Sequence, residues 1–278
     1  MSVDLSAVGK QLPATQFTYT ERDVMLYALG VGAGTDDLQF TYERDLKVLP
    51  TFGVIPAFPA LAAIGSAISV NPMMVLHGEQ RIELHAPLPT YGTLTTTATI
   101  RAIYDKGKGA LLVVGAESRD AKGTLLCTNT FGAFARGAGG FGGDRGPSGP
   151  KNLPPKRSPD TVVEMATLPQ QALLYRLSGD MNPLHADPEF AKFGVYDRPI
   201  LHGLCTFGHV GRAVLGSYCG NDPRKLKALD VRFSGVVFPG ETIVTEMWKI
   251  SDAELIVQAR TKERGDVTIS AASATLAT

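Results

Sequence analysis

The feature that most restricts how this chain can fold is a degenerate internal repeat. Asp23-Val-Met-Leu-Tyr-Ala-Leu-Gly parallels Gln171-Ala-Leu-Leu-Tyr-Arg-Leu-Ser. Pro56-Ala-Phe-Pro-Ala-Leu-Ala-Ala-Ile-Gly parallels Pro199-Ile-Leu-His-Gly-Leu-Cys-Thr-Phe-Gly, with Pro, Leu and Gly in one register. Self-similarity of this kind means that one supersecondary unit is used twice. Beyond these segments each half runs into strand-like stretches. They fall at roughly 77–86, 93–104, 109–120 and 123–134, then at 226–237, 242–250, 253–263 and 266–276. β-Branched residues, period-two alternation and turns such as Lys106-Gly107-Lys108-Gly109 and Gly265-Asp266 support strands there.

Each half therefore reads as a helix, a longer apolar helix and a run of antiparallel strands. The longer helix, expected over about 199–216 in the second half, is apolar nearly all round, so a sheet should wrap it. A sheet curled around one buried helix is the hot-dog architecture. Two copies in one chain predict an α+β double hot dog with a continuous sheet. The expected units are 1–135 and 161–278, joined through 136–160. That joining segment is dense in Gly and Pro, which stop regular structure. Gly137, Gly139 and Gly142 formally spell a dinucleotide fingerprint, but prolines follow where a helix would be required, so a linker is the reading.

Composition excludes little but bounds the setting. The 278 residues are 44% hydrophobic, enough for a sizeable core, and 27 basic side chains balance 27 acidic ones. Nothing global argues for nucleic acid or an anionic membrane as partner. Cys127, Cys205 and Cys219 are too scattered for a disulfide framework or a zinc site, which fits a reducing compartment. The N-terminus lacks a signal-peptide layout, no apolar run approaches membrane-spanning length, and the C-terminus is not a Ser-Lys-Leu-type address. A cytoplasmic location is the expectation.

The chemistry concentrates in residues 175–203. Asp180, Asn182 and His185 place an acid, an amide and an imidazole within six residues, and Gly203 opens the next helix. A carboxylate and an imidazole held together can move a proton either way near neutral pH. A backbone amide in a first helical turn can bind a developing oxyanion. Turn chemistry is the plain alternative, since Asp and Asn bond their own backbone and Asn182-Pro183 starts turns. Thr167-Leu-Pro-Gln resembles a capping box for a helix through Leu177, with Gly179 near its end, and Asp187-Pro188-Glu189 caps a short helix. The repeat supplies a test. Asp180, Asn182, His185 and Gly203 align with Gly32, Gly34, Asp37 and Ala60, so the scaffold is duplicated and the polar trio is not. One site, in the second half, is the natural reading. His202 could be a second acid or base, though packing or capping is the plainer reading; His209 reads as a buried structural histidine and Cys205 as inert core. Lys106 and Lys108 read as solvated hairpin lysines, unless a ligand carries phosphate.

Tyr175-Arg-Leu-Ser-Gly-Asp-Met-Asn-Pro-Leu-His-Ala-Asp-Pro188 and Arg198-Pro-Ile-Leu-His-Gly-Leu-Cys205 closely resemble the hydratase 2 motif of the MaoC-like family. His77-Gly78-Glu79-Gln80, Arg157-Ser-Pro-Asp160, Val231-Arg-Phe233 and Phe238-Pro-Gly240 extend the resemblance over nearly the whole chain. It implies a double hot dog whose first repeat has lost catalytic residues and makes room for long acyl chains. It implies (3R)-specific hydration of trans-2-enoyl-CoA in fatty acyl-CoA metabolism, with Asp180 and His185 as the catalytic pair and Asn182 in the same signature. Gly203 matches the amide that holds the thioester oxygen. His77, Gly78, Lys106 and Phe233, with the motif's Met181, Pro183 and Leu184, match acyl-CoA contacts. The implied partner is an acyl-CoA thioester, with no metal and no cofactor beyond the CoA of the substrate. Alternatives are a hot-dog acyl-CoA thioesterase and a non-catalytic acyl-CoA binding protein, since fold does not fix function. Pairing of two chains is left open.

Overall fold

The computed structural model describes residues 3–62, 74–147, 151–194 and 196–278. Ten strands form one antiparallel sheet. They are β1 (Thr15–Tyr19), β2 (Val75–Leu84), β3 (Gly92–Asp105), β4 (Gly109–Arg119) and β5 (Leu125–Arg136), then β6 (Thr161–Ala166), β7 (Leu226–Phe233), β8 (Thr242–Lys249), β9 (Glu254–Thr261) and β10 (Val267–Leu276). Across the sheet they run β1-β3-β4-β5-β2-β7-β10-β9-β8-β6. Taken inward from either edge the two halves have the same order, so the sequence repeat is a structural repeat about the β2–β7 seam. The expected double hot dog with a continuous sheet is what forms. The eight expected strands appear within a few residues of their anticipated bounds, apart from the 226–237 stretch, whose strand ends at Phe233.

Two strands were not anticipated. β1 and β6 are the sheet edges, five and six residues long, with half-buried alternating side chains. Strands that short carry too little periodic signal to stand out.

The helices are α1 (Glu21–Gly30), α2 (Leu38–Thr41), α3 (Phe58–Ala62), α4 (Gln171–Tyr175), α5 (Pro188–Phe193) and α6 (Gly203–Tyr218). The long second-half helix thus starts at Gly203, not Pro199. Residues 199–202 stay extended because Leu201 N–H donates to the Val237 carbonyl and His202 has ψ 136°. Its first-half counterpart is α3; residues 63–65 of that expected segment lie outside the described residues. The anticipated capping box at Thr167 does not form. Thr167 Oγ1 donates to the Glu241 carbonyl instead, and Gln171 Oε1 accepts from Leu168 N–H at the start of α4. Asp187 does cap α5, accepting from Glu189 N–H at 2.8 Å.

Helix α6 is buried along Leu204, Cys205, Phe207, Val210, Val214 and Leu215. Those side chains share one core with Val24, Tyr27, Phe52 and Ile82 of the first half and Leu229, Val257 and Ala272 of the second. Burying each large apolar side chain is worth about 1.5–3 kcal/mol, so this shared core binds the halves together. A second cluster, with Ile100, Leu112, Val114 and Phe131, fills the first-half sheet. At the seam, Glu79 through Glu83 pair with Arg232 through Ala228, and the Arg232 guanidinium donates twice to Glu79. The seam brings the start of β2 against the end of β7, where His77 and Phe233 meet edge to face at 5.1 Å. The three cysteines are free and buried, and burial pushes the Cys127 thiol up to about 12. No helix among the described residues is long and apolar enough to cross a membrane.

Candidate active site

Helix α4 ends at Tyr175 and tightens into a turn over Arg176–Ser178 before Gly179, at φ 135°, redirects the chain. The left-handed φ is one that glycine adopts without strain. Asp180 follows, half-buried, and one carboxylate oxygen accepts from Asn182 N–H at 3.1 Å. Asn182 caps the next turn, its Oδ1 accepting from Leu184 N–H at 3.0 Å. The turn chemistry expected of these residues is real, yet it occupies one oxygen of each and leaves the second carboxylate oxygen and the Asn182 amide nitrogen without a partner in this turn.

The same turn buries His185. Its Nδ1 lies 2.9 Å from the Ile200 carbonyl. A carbonyl only accepts, so Nδ1 carries the proton and Nε2 presents a lone pair. Burial pushes the His185 pKa below its ordinary value, while the Ile200 carbonyl and Asp180 act in the opposite direction. The imidazole is therefore a neutral base at physiological pH. His202 stacks on it with centroids 3.7 Å apart. One ligating atom from each of Asp180, His185 and His202 lies within 4.8 Å of the others, a spacing that invites comparison with a metal site. His185 Nδ1 and His202 Nε2 are already engaged with the Ile200 and Asp180 carbonyls, which leaves one nitrogen of each ring free of those bonds.

Gly203 is the first residue of α6, and its N–H is one of the donors that no carbonyl within the helix can accept. A Cβ there would stand 3.2 Å from the Phe233 ring, so a larger residue would have to push the ring away by a few tenths of an ångström. These groups open on one cavity of about 620 Å³. Phe58, Leu61, Val75, Leu76, His77, Ala133 and Arg136 line it from the first half; Asp180, Asn182, Leu184, His185, Gly203, Phe233 and the Ser234–Val237 turn line it from the second. His77 Nε2 is buried without a partner, and burial pushes that imidazole down to about 4.

The structure thus brings together Asp180, Asn182, Leu184, His185, Gly203, His77 and Phe233. It does not bring the other anticipated contacts to the wall. Met181 and Pro183 face outward, and Gly78 forms the β2 bulge facing the Gly132 carbonyl. The Lys106 ammonium donates to the Arg145 and Pro147 carbonyls of the glycine-rich segment. Sequence reasoning missed Tyr196, Ile200 and Thr206, which lie in or just after the motif, and Arg136 and Thr268, which no local pattern marks.

A duplicated hot dog with an acid–base cluster beside a helix N-terminus, opening on a cavity lined by both repeats, is an arrangement of the acyl-thioester-handling class. Residues 17–137 match the MFE-2 hydratase 2 N-terminal domain and residues 151–272 match the MaoC like domain. The chain belongs to the MaoC-like hydratase 2 family. It is 43% identical to the probable enoyl-CoA hydratase 2 of Dictyostelium discoideum, over 97% of this chain and 95% of that protein. It is 43% identical to the peroxisomal enoyl-CoA hydratase 2 of Arabidopsis thaliana, over 92% of this chain and 90% of that one. The solved MaoC-like dehydratase from Phytophthora capsici superposes with TM-score 0.91 at 38% identity, covering 99% of this chain and 98% of that one.

Proposed function

We propose that this protein hydrates trans-2-enoyl-CoA to (3R)-3-hydroxyacyl-CoA, reversibly, in fatty acyl-CoA metabolism. The observation that carries the reading is the asymmetry of the repeat. Only the second half keeps Asp180 and a neutral His185 beside an unpaired helix-start amide, and the names of the relatives support the same chemistry. The conjugated thioester would lie with its carbonyl oxygen at Gly203 N–H and its acyl tail toward Phe58, Leu61 and Leu76. A water held between the Asp180 carboxylate and His185 Nε2 adds its oxygen to C3 as a proton leaves it to that pair. The electrons of the double bond move onto the carbonyl as an enolate. The pair returns a proton to C2, so one water is consumed and the C–S bond stays intact. Stabilising the enolate at Gly203 is worth about 3 kcal/mol by analogy with one oxyanion-hole donor.

Asp180→Ala and His185→Ala should each lower crotonyl-CoA turnover by about 10²–10⁴-fold with the sheet intact by circular dichroism. Near-normal turnover in either would overturn the assignment. Release of free thiol, read with a thiol reagent, would instead mark a thioesterase. No cofactor besides the substrate's CoA enters this scheme. Both walls of the cavity come from one chain, so catalysis as proposed does not call for a second copy. The three buried free cysteines suit a reducing compartment, and the compartment proposed is the cytosol. Fractionation that placed the protein in peroxisomes, as the name of the Arabidopsis relative would suggest, replaces that part of the reading.

A further inference from the structure

We propose that His202 is the positioning residue of this site, holding the His185 ring by stacking and the Asp180 backbone by a hydrogen bond so that acid and base keep one geometry. The inference rests on the hydratase reading above. His202 is 1% exposed. Its ring lies 3.7 Å from that of His185, at an interplanar angle of 28°, and 4.9 Å from that of Tyr175. Its Nε2 is 3.1 Å from the Asp180 carbonyl, so Nε2 carries the proton and donates. One side chain therefore touches both members of the proposed pair.

The other ring nitrogen makes the case. Nδ1 of His202 is buried with no partner. An orphaned buried acceptor costs stability, and a phenyl ring would fill the same space without it. Capping is not the compensation, because His202 occupies the N-cap of α6 while its side chain makes no capping bond. A histidine kept against that cost is explained by what its other edge and its face do, which is to fix Asp180 and His185. Groups held at a functional site against stability are a recurrent pattern.

The charges around the ring agree. Asp180 and His185 face it from the motif loop, and Tyr175 and Arg176 from the end of α4 and the turn after it. Burial first, then His185, push His202 down to about 2, against the Asp180 carbonyl, with Arg176 adding to the depression. The ring is neutral throughout the working range and does not compete for the transferred proton. Its face also shields His185 from water, which helps hold that imidazole below its ordinary pKa.

Two substitutions separate the contacts in the full-length protein, read by crotonyl-CoA hydration across pH with Asp180→Ala as control. His202→Phe keeps the ring and removes the donor. Its kcat should fall about tenfold with KM within about twofold and a melting temperature close to wild type, because the removal of the orphaned Nδ1 offsets the loss of the donor to the Asp180 carbonyl. Wild-type kcat in that variant would overturn the role toward Asp180. His202→Gln keeps a donor and removes the ring. The acidic limb of its kcat/KM profile should move up toward the ordinary histidine value of about 6.5. An unmoved limb would overturn the role toward His185. A purely structural residue would lower the melting temperature of both and move neither readout. Should wild type fail to hydrate, or Asp180→Ala stay active, the hydratase reading itself fails. Loss in Asp180→Ala with unchanged His202 variants sinks this inference alone.

Discussion

At the scale of single residues, the proposed mechanism rests on neutral histidines. In it His185 acts through Nε2, which must be unprotonated, and burial lowers the pKa of that imidazole. The base is thus competent above its lowered pKa and lost as pH falls through it. The acidic limb of kcat/KM for crotonyl-CoA should therefore lie below about 6.5. A limb at or above that value would contradict the burial argument. The same logic carries over to stability. His77 and His209 are pushed by burial down to about 4 and His202 to about 2. In the unfolded chain these imidazoles take up protons near 6.5, while in the native state they do not, so the unfolded state binds more protons as pH falls. Native stability is full above about 6.5 and declines as pH drops toward 4. Melting temperatures at pH 7.5 and pH 5 should differ in that direction; equal values would sink the claim.

At the scale of elements, the two repeats diverge where a helix hands over to a loop. Gly179 leads from α4 into Asp180, whereas the loop after α1 carries Gly32 at the position aligned with that acid. Gly32 has φ 80°, and a Cβ there would lie 2.6 Å from His209 Nε2. The first half has thus filled the place of its acid with α6 of the second half. Gly32→Asp should cost about 2–5 kcal/mol through the left-handed φ and the clash, and should add no activity. A stable variant in chemical denaturation would contradict this packing. Gly203→Ala makes the complementary prediction. Helix propensity gains about 1 kcal/mol, which offsets much of the crowding against Phe233, so stability changes little. Turnover should nonetheless fall about tenfold or more as the N–H shifts from the thioester oxygen. Equal losses of stability and rate would point to misfolding instead.

These elements also show what a sequence can disclose. The long strands are legible because their alternation runs for eight residues or more, and α6 because it is apolar all round. The edges β1 and β6 are set by what they pair with, and the start of α6 at Gly203 by the Leu201–Val237 hydrogen bond, which joins residues 36 apart. Within the site, Asp180, Asn182, His185 and Gly203 are legible through two motif segments, 175–188 and 198–205, and their missing counterparts. The stacking of His202 on His185 is not, because it joins rings 17 positions apart and no local pattern marks their contact.

At the scale of the whole molecule, the candidate site is built from both halves. The Asp37 carboxylate, aligned with His185 in the repeat, pairs with Arg212 of α6 at 2.5 Å, and Arg212 also donates to the Val31 carbonyl. Both charges are largely buried, so Asp37→Ala strands a cation and should cost about 3 kcal/mol. The β2–β7 seam and the shared core predict a single calorimetric transition for both repeats. Two resolved transitions would mean that the cavity spans separable units. The central claim is narrower, that one second-half acid–base pair adds water to an acyl thioester whose tail rests in the first half. Its most direct test follows the absorbance of a trans-2-enoyl-CoA, with chiral analysis of the product and a thiol reagent in parallel. The expected result is loss of the conjugated thioester, (3R)-3-hydroxyacyl-CoA as product, no free CoA, and loss of turnover in Asp180→Ala. Thiol release, a (3S) product, or turnover that survives Asp180→Ala would contradict it.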